Sequence, residues 1–295
     1  DLKRMPYDPA LAAPSYRYEN GGVTGLSYLD YSAMGELYTS AYLSWTKASD
    51  ASTVKLYTAK GTVGNGGVVT PGSWDSGTVI DNSGSYTVTG LDADAYYQFK
   101  LEVAGGAHAG ESNTIEHYSG KLDATKFGLT AGEGAGTARA NKAALNSAIS
   151  WLNSIGGGTL DIPGNGNNDE PLSYPTGTVY LKSNVYLYIE TGARLHAQSG
   201  TMDGPESAWW SYGDYASGTN ASEDPYANPD NFLSKQDDGH CFFQNCMIYA
   251  RRADNIKIIG TGRLDGNGVL STGDGTVHKK TPNKCDDMLS FKLCT

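Results

Sequence analysis

The side chains best suited to chemistry lie in the last third of the chain, and their types suit non-covalent recognition of a ligand. Arg251-Arg252 sets two guanidinium groups side by side, and such a group can grip a carboxylate through two parallel hydrogen bonds. His240 can hydrogen-bond a carboxylate or a hydroxyl. Trp209, Trp210 and Tyr212 open an aromatic stretch that continues to Phe242 and Phe243, and flat rings offer apolar contact area with little entropy to lose. Each has a structural counterpart. The arginines can be a solvated pair on the turn before Asn255, His240 can be a packing residue, and the aromatics can hold a long loop against the body of the protein.

Other chemistries are disfavoured. Gly132-Glu133-Gly134-Ala135-Gly136 precedes a helical pattern as a nucleotide-binding turn would, but Thr137 stands where a third glycine is needed and no convincing strand comes before it. Cys241, Cys246, Cys285 and Cys294 lack the spacing of a structural zinc site and are too few for a disulfide scaffold, although one or two bridges are compatible with them. Gly273-Asp274-Gly275 is too short a motif to indicate a calcium site. No cofactor is therefore expected. With 22 Lys and Arg against 32 Asp and Glu, the net charge of -10 argues against a nucleic-acid partner. No apolar run is long enough to span a bilayer, so no membrane partner is expected. The residues Asp1-Leu2-Lys3-Arg4 lack the apolar core of a signal peptide, so an exported protein would already have lost its signal.

The elements that must position these groups read as all-β. After an extension over 1–17, residues 18–118 carry short alternating strands between Gly, Asn, Asp and Ser clusters. The clearest is Tyr97-Gln98-Phe99-Lys100-Leu101-Glu102-Val103, with Tyr97, Phe99, Leu101 and Val103 on one face. Leu43-Ser44-Trp45, Tyr86-Thr87-Val88-Thr89-Gly90-Leu91 and Tyr97-Gln98-Phe99 together resemble the core pattern of a fibronectin type III domain. That resemblance implies a β-sandwich serving as a spacer or as a docking module for a glycan or a protein.

The remainder, 119–295, opens with a helix expected at about 138–155. Thr137 is placed to cap it, Ala144, Leu145, Ala148, Ile149 and Leu152 form one apolar face, and Gly156-Gly157-Gly158 ends it. Short apolar strands follow, among them Thr159-Leu160-Asp161-Ile162, Val185-Tyr186-Leu187-Tyr188-Ile189 and Asn255-Ile256-Lys257-Ile258-Ile259. Most are not separated by crossover helices, which favours coils that stack on one another over a doubly wound sheet. A long insertion occupies about 202–245.

Three stretches resemble glycoside hydrolase family 28, the polygalacturonases: Gly156 to Pro163, Gly177 to Leu195, and Ile248 to Gly268 with its Gly262-Arg263-Leu264-Asp265-Gly266-Asn267-Gly268 turn. The likeness covers about residues 126 to 295. It implies the first coils of a right-handed parallel β-helix, capped by the preceding helix, in a secreted or periplasmic enzyme. That enzyme would cleave an acidic, pectin-like polysaccharide or oligosaccharide by an inverting two-carboxylate mechanism. The family's Asn-Thr-Asp, Asp-Asp, Gly-His-Gly and Arg-Ile-Lys cluster is missing; Asp286-Asp287 is an isolated substitute and Asp265 reads as a turn carboxylate. No catalytic residue is identified, the catalytic groups are expected beyond Thr295, and the segment alone is expected to be inactive. A polysaccharide lyase on the same β-helix and a non-catalytic glycan-binding β-helix remain the alternatives.

Overall fold

In a computed structural model of the protein, residues 2–4, 39–197, 246–266, 287–292 and 294 are described. These residues form an all-β protein of nineteen strands and, among the described residues, one α-helix. They divide into two compact units. The first comprises Asp1–Lys126, Trp151–Leu160 and Asn184–Tyr186, and the second Phe127–Ser150, Asp161–Ser183 and Leu187–Thr295.

The first unit contains β1 (Leu2–Arg4), β2 (Ala41–Trp45), β3 (Thr53–Val63), β4 (Val69–Thr70), β5 (Thr78–Asp81), β6 (Ser85–Val88), β7 (Ala95–Val103), β8 (Gly110–Glu111), β9 (Ile115–Ser119) and β10 (Lys121–Asp123). Strands β1-β2-β6 make one antiparallel sheet. The other has the order β4-β3-β7-β8, with β5 added to β3 and β9 to β7. The inward residues of both sheets share one core, in which Leu43, Leu56 and Phe99 are buried together with Tyr97 and Leu101. This is the face anticipated from the alternation in β7. Tyr96, on the opposite face, is also fully buried and packs with Tyr118 and Trp151. Trp45 is fixed by its indole N–H, which donates to Asn82 Oδ1 at 2.9 Å, while Asn82 Nδ2 donates to Ala48 O and Ala51 O.

The helix α1 runs Ala135–Ser154. Its stripe of Ala144, Leu145, Ala148, Ile149 and Leu152 is buried, as the spacing requires. Thr137 lies within the first turn instead of capping it, and its hydroxyl donates back to Glu133 O at 3.0 Å. A hydroxyl in the first turn finds the carbonyl one turn behind it as readily as a free N–H ahead. Beyond the helix, Gly156 and Gly157 adopt positive φ of 95° and 117°, and Gly157 N–H closes onto Leu152 O.

The strands that follow are β11 (Gly158–Ile162), β12 (Leu172–Thr176), β13 (Val179–Leu181), β14 (Val185–Ile189), β15 (Ala193–Ala197), β16 (Cys246–Arg251), β17 (Lys257–Gly260), β18 (Arg263–Asp265) and β19 (Asp287–Lys292). They enter three sheets in rotation, ordered β10-β11-β14-β17, β12-β15-β18 and β13-β16-β19. The last two sheets are parallel throughout. Register stacks like upon like: Tyr174, Leu195 and Leu264 form one ladder, and Val179, Ile248 and Leu289 another. Leu195, Val179 and Ile248 are fully buried.

Corners between strands use backbone conformations that few residues tolerate. Asn184 and Asn255 take positive φ of 63° and 51°, as do Gly192 at 81° and Gly260 at 118°. Gly262 does not share that conformation; a side chain there would strike the backbone around Glu190 and Ala193. Successive corners are tied together by Asn168, whose Oδ1 accepts from Gly192 N–H at 2.7 Å and whose Nδ2 donates to Thr261 O at 2.9 Å.

Within the second unit the helix is fastened by two asparagines. Buried Asn141 donates to Thr130 O and Pro175 O and accepts from Thr130 N–H. Asn146 donates to Thr178 O and accepts from Tyr180 N–H. Leaving the buried backbone partners of Asn141 unsatisfied should cost about 2 kcal/mol or more, so Asn141→Ala is expected to lower the midpoint of urea unfolding. Gly260 has a φ of 118° and a methyl there would also strike the Ile189 backbone, so Gly260→Ala should cost more than the about 1–3 kcal/mol of backbone strain alone, and its thermal midpoint, read by circular dichroism, should fall accordingly.

Candidate functional site

Parallel register gathers a polar cluster on one face of the β12-β15-β18 sheet. Ser173, Arg194 and Arg263 share one level, while Pro175, His196 and Asp265 share the next on that face. Arg194 Nε donates to Asp265 Oδ2 at 2.7 Å, a half-exposed ion pair joining two strands. His196 is fully buried beneath this surface. Its Nε2 lies 2.9 Å from Ser173 Oγ and its Nδ1 3.1 Å from Ala197 O. A carbonyl only accepts, so Nδ1 carries the proton and Nε2 accepts from the Ser173 hydroxyl. The Glu133 carboxylate, from the glycine-rich turn before α1, stands 3.7 Å from the same Nε2.

This arrangement limits the available chemistry. A hydroxyl donating to an imidazole is the start of a nucleophile–base pair. Here the imidazole is enclosed, and a backbone carbonyl sits where a carboxylate would orient it in such a device. Asp265 is already engaged by Arg194. Arg263 differs. It is exposed, stacked by register on Arg194, and without an ion pair among the described residues. Adjacent cations on neighbouring strands repel, a cost that Asp265 offsets for one of them. The cluster is therefore an ion-paired surface with an available guanidinium, able to bind an anion.

Of the residues singled out from sequence, Trp209, Trp210, Tyr212 and His240 lie outside the described residues. Asp286 also lies outside them, and Asp287 opens β19 opposite Cys246. Arg251 ends β16, half-buried and in register with Lys292, whereas Arg252 is exposed on a left-handed turn with φ 48°. The two arginines thus occupy different backbone settings. Asp265 belongs to a strand, with Arg194 as partner. The cluster itself leaves a trace in the sequence: Gly192-Ala193-Arg194-Leu195-His196 and Gly262-Arg263-Leu264-Asp265 align on their Arg-Leu pairs, and those leucines prove to be register partners.

Among the described residues, no group of three or more His, Cys, Asp or Glu is arranged to hold a metal ion, and no helix is long and apolar enough to cross a membrane.

No protein-family profile and no curated protein matches the chain. Among solved structures it is similar to an inferred glycosyl hydrolase from Parabacteroides merdae, at 20% identity and a TM-score of 0.36, covering 59% of each chain. It is also similar to the family 28 exopolygalacturonase of Yersinia enterocolitica, at 18% identity and a TM-score of 0.27, covering 77% of this chain and 39% of that one. The chain therefore spans only part of the length of either protein, and likeness at these values assigns no activity.

Burial holds the His196 imidazole below its usual pKa, so the folded protein resists a proton that the unfolded chain accepts. Stability should consequently fall as pH drops below about 6.5, the value for an unperturbed histidine, and continue to fall until the depressed folded value is passed. Urea unfolding followed from neutral to mildly acidic pH should show this slope, and His196→Gln should flatten it.

Proposed function

We propose that the chain is part of a secreted or periplasmic glycoside hydrolase of the polygalacturonase type. In this reading a fibronectin type III-like sandwich precedes the first coils of a right-handed parallel β-helix, and the substrate is an acidic, pectin-like polysaccharide. The observation that supports it is the rotation of the chain through three sheets with parallel register. Stacked coils repeat every ~4.8 Å, which builds a long outer face along which a polymer can lie. The exposed Arg263 beside the Arg194–Asp265 pair adds local positive charge to a protein of net charge -10, and a uronate carboxylate is the natural counterpart of such a group. Export accords with a substrate too large to enter a cell.

Inverting hydrolysis needs one carboxyl group to protonate the leaving oxygen and a carboxylate to activate water, roughly 6.5 to 9.5 Å apart. Side chains on nearby coils can meet that separation. Because Asp265 is tied to Arg194, this reading expects the acid and base beyond Thr295. Loop aromatics such as Trp209, Trp210 and Tyr212, together with His240, Arg251 and Arg252, would then contribute to substrate binding.

The protein carrying this chain in its natural context is expected to release new reducing ends from polygalacturonate with no rise in ultraviolet absorbance, while residues 1–295 alone release none. Unsaturated, absorbing products would assign a lyase instead. Binding without any cleavage by the natural protein would make it a non-catalytic glycan-binding β-helix.

A further inference from the structure

The outer face of the larger sheet in the first unit carries a row of alternating aromatic and cationic groups. Lys55 and Tyr57 on β3 point away from the core that takes Val54 and Leu56. Lys100, the register partner of Tyr57 on β7, has its Nζ 5.4 Å from the Tyr57 ring centre and 4.8 Å from that of Trp74. Lys55 Nζ lies 4.9 Å from the Tyr57 ring. The row therefore runs Trp74, Lys100, Tyr57, Lys55, and exposed Val79 is the register partner of Lys55 on β5.

Two properties distinguish this row from an ordinary solvated surface. The first is rigidity. Trp74 is bridged to Ala59, the next backbone N–H, of Asp75, donates to Thr58 O at 2.9 Å, and Asp75 Oδ1 accepts from both Thr58 N–H and Gly77 N–H. Gly77, at φ 74°, lies so close to Lys55 and Tyr57 that any side chain there would collide with them. Lys100 Nζ is held by Glu111 at 2.6 Å, and the Tyr57 hydroxyl donates to Glu102 Oε2 at 2.6 Å. Trp74 nevertheless remains 36% exposed. A ring already immobilised loses little entropy when a ligand stacks on it. The second property is charge. Glu111 compensates Lys100, whereas Glu102, the register partner of Lys55, has its carboxylate taken up by the Tyr57 hydroxyl and makes no ion pair with Lys55.

We propose that this face is a glycan-binding platform for a uronic acid polymer, with a sugar ring stacked on Trp74 and a carboxylate met by Lys55. Apolar C–H faces and carboxylates alternate along such a polymer, as rings and cations alternate along the row. The choice of polymer rests on the acidic-polysaccharide reading above; the site is separate from the β12-β15-β18 cluster.

Binding of polygalacturonate to the whole chain can be measured by affinity electrophoresis and calorimetry at low and high salt, alongside melting curves. Trp74→Ala should weaken binding about fivefold or more. Lys55→Gln should weaken it at low salt and reduce its salt dependence, with the melting temperature unchanged. Should Trp74→Ala fail to fold, Lys55→Gln decides alone, since the Lys55 side chain is half-exposed and makes no ion pair among the described residues. Unaltered binding by folded variants, or no binding by the wild type, would overturn the platform. Cleavage by the natural protein is read separately. Hydrolysis with binding indifferent to both substitutions defeats only this inference, and binding that depends on Trp74 and Lys55 without hydrolysis defeats only the enzyme reading.

Discussion

Parallel, in-register backbone pairing is the constraint from which the second unit follows. Each strand of such a sheet finds its hydrogen-bond partners on the neighbouring strand, and side chains at equal register are stacked a strand apart. Burial then selects ladders such as Tyr174, Leu195 and Leu264, because one apolar residue covers the next. The same rule acts on polar residues. It places Arg263 on Arg194 and Asp265 on His196, so that a carboxylate on one strand reaches a guanidinium on another. The cluster follows from the pairing that builds the sheet.

Turning between sheets without unpaired strand edges requires sharp corners, and corners leave backbone groups to be satisfied. Side-chain amides supply much of what the strands cannot. Asn168 bridges two corners, and Asn141 and Asn146 fasten α1 to backbone around β12 and β13. In the first unit Asn82 fills a similar role by receiving the Trp45 N–H and donating to two carbonyls. Each group is costly to bury alone and inexpensive once paired. These asparagines therefore fix the corners and the helix in place alongside the apolar residues around them.

Local patterns were legible where local physics decides the outcome. Alternation in β7 marks the core of the two antiparallel sheets, and three-and-four spacing marks the buried stripe of α1, since both periods follow from backbone geometry. Asn184, Asn255, Gly192 and Gly260 are of the residue types that tolerate the positive φ their corners need. Gly262 was legible as a glycine but not in its role, which is close approach to Glu190 and Ala193. Thr137 was misplaced by the competition between two hydrogen-bonding options that sequence does not rank.

From its sequence the protein could be known as a strand-rich, acidic chain with an antiparallel segment, one amphipathic helix and glycine-cornered apolar strands. Its motifs resembled a polygalacturonase framework without the corresponding carboxylates. Tertiary structure decided which distant side chains became neighbours: Ser173 with His196, Arg194 with Asp265, and Lys100 between Tyr57 and Trp74. Periodicity records how a side chain faces relative to its own backbone. Partners across strands are set by register, and register emerges only when whole elements pair and their buried faces are matched against one another.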